Sequence, residues 1–105
     1  MANITIQGNF FNTALTPAVS ILIYQAGVRI RDNPPDLVVN ANPYVANDDF
    51  TDYINLPAGS YDLILRGATD GIFKLSITGE NATLDHVIPD NYANDITDAF
   101  TLTVA

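Results

Sequence analysis

The stretch Asn55-Leu56-Pro57-Ala58-Gly59-Ser60-Tyr61-Asp62-Leu63-Ile64-Leu65 decides how this chain folds. Pro57 fixes φ and removes a backbone donor, Gly59 can take a positive φ, and an alternating apolar run follows at once. The pattern is a turn feeding a half-buried strand, with Tyr61, Leu63 and Leu65 on one face and Asp62, Ile64 and Arg66 on the other. Downstream comes Gly67-Ala68-Thr69-Asp70-Gly71. An Asp-Gly pair between two alternating runs is the strongest hairpin signal in the chain. It predicts a return strand over 72–78 with Phe73, Leu75 and Ile77 inward and Lys74, Ser76 and Thr78 outward. Ile64 and Ile72 then flank the turn on the outward face.

Upstream, Phe50, Ile54 and Leu56 share a face that Asp52 interrupts, which predicts a late strand start or a bulge. Thr16-Pro17 leads a strand through Tyr24 that is apolar on both faces, the mark of a central strand. Gln25-Ala26-Gly27 reads as a turn, after which Val28 and Ile30 point inward and Arg29 and Arg31 outward. Asn3 to Gln7 is a short first strand, with Ile4 and Ile6 on one face, ended by Gly8-Asn9. Pro34-Pro35 breaks the sheet, since prolines cannot donate to a central ladder. Leu37-Val38-Val39 is a short strand, 40–49 and 89–95 are polar loops, and 82–88 and 96–104 are the last strands. No segment carries a 3.6-residue period long enough for a helix. These short strands at turn spacing predict one domain, a single antiparallel β-sandwich of about seven to nine strands.

Composition bounds the function. The 105 residues make one domain and include no cysteine, which excludes disulfides and thiolate metal or redox sites. Twelve acidic residues against four basic ones give a formal charge of −8, and Arg29, Arg31, Arg66 and Lys74 do not cluster in sequence. A phosphate backbone needs convergent cations, so nucleic acid and anionic membrane surfaces are disfavoured. No apolar run reaches the ~18 residues of a membrane-spanning helix, and Met1-Ala2-Asn3-Ile4 lacks the regions of a signal peptide. An extracellular, cell-surface or virion setting is the expectation.

Two pieces resemble the transthyretin-like β-sandwiches, which include carboxypeptidase regulatory-like modules. Thr16-Pro17-Ala18-Val19-Ser20-Ile21-Leu22-Ile23 is similar to the family's proline-led second strand. Asp49-Phe50 through Asn55-Leu56-Pro57-Ala58-Gly59-Ser60-Tyr61-Asp62-Leu63 is similar to its Phe strand, Leu-Pro-x-Gly turn and Tyr-led next strand. Pro17 and Asp49 stand where the family usually has glycine. The resemblance spans 4–66 and implies a transthyretin-like or immunoglobulin-like Greek key. It also implies a non-catalytic accessory, adhesive or structural module.

The chemistry-bearing residues are few. His86 is the single histidine and Lys74 the single lysine. On a strand, Asp85 and His86 would point to opposite faces and could not orient one another, so no catalytic residue is assigned and an enzyme is not expected. Oxygen-rich loops are the chemistry that holds Ca2+, and Asp32, Asp36, Asp48, Asp49 and Asp52 are the candidate ligands, without the order of an EF-hand. Tyr44 and Tyr92, in the two Asn/Asp-rich loops, are candidate stacking platforms for a glycan. The terminal strands carry no lysine or proline to protect their edges, so Ile4, Ile6, Thr101 and Thr103, with Ile64 and Ile72, are interface candidates for pairing between subunits. The leading expectation is a non-enzymatic structural or adhesive module that self-assembles or decorates a larger surface or particle. The alternative is a carbohydrate-binding module, Ca2+-dependent through its acidic loops.

Overall fold

The computed structural model describes residues 2–33 and 47–105. These form seven strands: β1 (Ala2–Phe11), β2 (Ala18–Gln25), β3 (Val28–Asn33), β4 (Phe50–Leu56), β5 (Gly59–Gly79), β6 (Ala82–Leu84) and β7 (Tyr92–Val104). Every pairing is antiparallel, and the strands make one curled, half-barrel sheet. The expected strand at Leu37-Val39 lies outside the described residues.

The opening stretch behaves as read. Gly59 takes a φ of +152°, Tyr61 is 1% exposed, and its hydroxyl donates to the Pro57 carbonyl at 2.7 Å. That bond ties the strand to its own turn, and the ring anchors both to the core. Tyr61, Leu63 and Leu65 are buried while Asp62 and Arg66 are exposed.

The expected Asp70-Gly71 hairpin does not form. β5 runs straight through it for 21 residues. Its first half lies between β2 and β7, and its second half pairs with β1. The Asp70 carboxylate accepts the amides of Ala14 and Leu15, each at 2.9 Å, and so holds the β1–β2 connection rather than making a turn. Gly71 lets the chain of β1 approach: a Cβ there would sit 2.1 Å from the Phe11 carbonyl oxygen. A Cβ on Gly67 would sit 2.1 Å from the Ala18 carbonyl oxygen. Glycine is needed at both places for close crossing by neighbouring backbone.

β5 thus belongs to two arms. One arm runs β3-β2-β5-β7-β6 and the other β4-β1-β5. Where they meet, the register with β7 shifts between Thr69 and Ile72, and Asn94 opposite takes a φ of +57°. The shift accommodates the bend without flipping faces, since Tyr61, Leu63, Leu65, Phe73 and Leu75 all stay in one core. Ile4 and Ile6 from β1 and Phe100 and Leu102 from β7 join the same cluster.

Other boundaries differ for physical reasons. β1 does not stop at Gly8, which instead gives room to two rings; a Cβ there would meet Phe50 at 2.5 Å and Phe73 at 2.7 Å. β4 runs from Phe50 without a bulge, and Asp52 is buried on its inner face at 3% exposure. β7 starts at Tyr92 rather than Ile96, and β6 ends at Leu84, so Asp85 and His86 lie in a bend. β2 is buried on both faces, as read, Ile21 and Leu22 alike. Val28 and Ile30, expected inward, are 65% and 43% exposed. A register shift between Ile23 and Tyr24 lies in the β2–β3 ladder that positions them.

Candidate functional site

Asp85 and His86 do converge, because the chain leaves β6 before reaching them. His86 Nδ1 lies 2.7 Å from Asp85 Oδ1, and its Nε2 faces Asp98 Oδ1 at 3.8 Å. The imidazole stacks on the Phe100 ring, with centroids 4.8 Å apart and planes at 26°. The Tyr92 hydroxyl donates to Asp98 Oδ2 at 2.7 Å. β7 supplies Tyr92, Asp98 and Phe100 from alternate positions of one face, and the bend after β6 swings His86 over them.

The two carboxylates also serve the sheet edge. Beyond β6, Asp85 N donates to the Thr101 carbonyl and Thr101 N donates to Asp85 Oδ1, both at 3.0 Å. Ala99 N donates to Asp98 Oδ1 at 2.8 Å. Side chains therefore occupy the amides where a further strand would pair, which is how natural sheets close an edge. The Thr101 amide holds the Asp85 carboxyl below its usual range, with the neighbouring His86 adding to the effect. Burial pushes the Tyr92 hydroxyl well above its ordinary value, and its bond to Asp98 pushes in the same direction.

Chemically this is a pinned imidazole. Both ring nitrogens face carboxylates, so neither is aimed at a nucleophile, and the side chains of His86 and Asp85 remain 44% and 47% exposed. The cluster braces the end of β6 against β7.

The other expected site residues are dispersed. Asp32 stands in β3 opposite Leu22, Asp52 lies in β4 at the far end of the strand order, and Asp36 lies outside the described residues. Asp48 Oδ1 accepts the Asp49 amide, Asp49 Oδ1 the Phe10 amide and Asp52 Oδ1 the Tyr53 amide, so these carboxylates secure backbone. Among the described residues no group of three or more histidine, aspartate or glutamate side chains is placed to hold a metal. Tyr44 lies outside the described residues. Tyr92 is no loop platform: it is 9% exposed and packs 6.2 Å from Phe73.

The interface candidates divide. Ile4 and Ile6 are 1% and 0% exposed, and β1 has β4 on one side and β5 on the other, so the N-terminal strand offers no edge. Its place at the chain end and its lack of lysine or proline suggested an edge, but partners distant in sequence flank it on both sides. Ile64, Ile72 and Thr101 are half-buried, and Thr103, paired with Thr83 and Ser60, is exposed. Sequence reasoning missed the outward Val28 and Ile30 of β3. The signal was the Ala26-Gly27 turn, whose two positive-φ residues set how β3 returns. Comparison with protein families, curated sequences and solved structures finds no match, so the functional reading rests on this geometry alone.

Proposed function

We propose that the chain is a non-catalytic structural or adhesive module that associates with further copies of itself, through the edge of β3, or decorates a larger particle by the same edge. One observation carries the reading: among the described residues β3 ends the strand order and presents Val28 and Ile30 outward, 65% and 43% exposed, while the core is filled elsewhere. The edges of β7 and β4 contrast with it, since carboxylates of Asp85, Asp98 and Asp52 occupy amides there. In this reading the two arms sharing one core form a β-sandwich of transthyretin-like topology. The net charge of −8 opposes association, so salt promotes it by screening.

Light scattering over a concentration and salt series tests this. Apparent mass rises with both in the native protein and stays monomeric in Ile30→Lys. A native protein that remains monomeric throughout the series overturns it.

A further inference from the structure

The outer face of the second arm has a character of its own. Register places Tyr53, Thr5 and Thr78 side by side on one rung, and Thr51, Gln7 and Ser76 on the next. All six alternate with buried residues and point away from the core, with Thr5 half-exposed and the others exposed. Neighbouring strands stand about 4.8 Å apart and successive same-face residues about 6.8 Å apart, so the groups form a regular grid. None of the twelve acidic residues falls on these rungs: Asp52 points inward, and the exposed Glu80 lies in the turn beyond the end of β5. The side chains of Thr5, Gln7, Thr51, Ser76 and Thr78 make no hydrogen bond among the described residues, leaving their donors and acceptors open to a partner. Tyr53 stands at the edge of the grid, 72% exposed.

We propose that this face is a docking surface for a neutral polysaccharide. The partner follows from charge and chemistry. A polyanion is repelled by a chain of charge −8, and the one cation near the grid is Lys74, on the following rung opposite Asn9. A cationic partner would seek carboxylates, which these rungs lack. A second copy would need an apolar centre to its interface, and one tyrosine ring does not supply it. A neutral polyhydroxylated chain matches every group. Its hydroxyls both donate to and accept from Thr, Ser and Gln, and the apolar face of a sugar ring stacks on an aromatic ring. The proposal does not depend on self-association through β3, which lies in the other arm.

Affinity electrophoresis tests it, with hydroxyethyl cellulose, arabinoxylan, galactomannan or soluble starch cast in native gels and alginate as the polyanion. Retardation is expected in at least one neutral gel and not in alginate, with at least a tenfold loss of affinity in both Tyr53→Ala and Gln7→Glu. Thr78→Glu provides a third variant if either melts early. Migration unchanged in all four neutral gels, or retardation that survives Gln7→Glu and Thr78→Glu, overturns the proposal. So does a change of sedimentation in Gln7→Glu without polysaccharide, because the face would then be occupied by another copy. Light scattering of the same samples reports β3 association separately.

Discussion

At Ala26 the backbone takes a φ of +51° and at Gly27 +80°, the two left-handed positions of a two-residue hairpin turn. Glycine adopts this freely, but alanine is strained there by about 1–2 kcal/mol. Ala26→Asn therefore raises the unfolding free energy by about 1 kcal/mol, read from the urea midpoint. Tyr92 gives a pH signature. Its folded hydroxyl holds its proton well above the ordinary value of 10.0, so the unfolded chain ionises first. The stability it contributes is complete below pH 10 and is lost as pH rises through the folded value. Tyr92→Phe costs about 1 kcal/mol at neutral pH through the lost bond to Asp98. Its deficit against the native protein shrinks above pH 10 in thermal melts, and a deficit constant with pH would contradict the account. At this scale the Pro57–Tyr61 turn was legible, because its determinants lie within five residues. Asp85 and His86 were not: their convergence depends on β6 ending at Leu84, which no property of that dipeptide announces.

β5 shows what local chemistry leaves open in an element. Asp-Gly suits a tight turn, and it equally suits a carboxylate that holds another loop beside a glycine that admits another strand. The choice is made by partners far away in sequence, the amides of Ala14 and Leu15 and the carbonyl of Phe11. Face assignment was nevertheless readable throughout β5, because alternation survives the bend: Tyr61 and Phe73 are in one core. The consequence is testable. Gly67→Ala drives a methyl into the backbone of β2, so it destabilises by about 1–3 kcal/mol, as overpacking does, rather than stabilising as removal of a flexible glycine would. Urea denaturation of the variant distinguishes the two signs.

Across the whole molecule, among the described residues, the inward faces of most strands were legible, while several strand ends and the strand neighbourhood were not. Alternation identified buried faces on β1, β4, β5 and β7. Edges depend on order in the sheet, so the terminal strand β1 proved internal and, among the described residues, the hairpin strand β3 proved outermost. The functional account shifts with that order. It moves from the chain ends to the outward face of β3 and to the uncharged rungs of the second arm. Amide hydrogen exchange compared between dilute and concentrated protein at high salt tests association by β3 most directly. Slowed exchange at Val28–Ile30, with the Asp85- and Asp98-bound amides of β7 unchanged, is the predicted result. Unchanged exchange along β3 under conditions where the particle grows, or slowing confined to β7, would contradict the account.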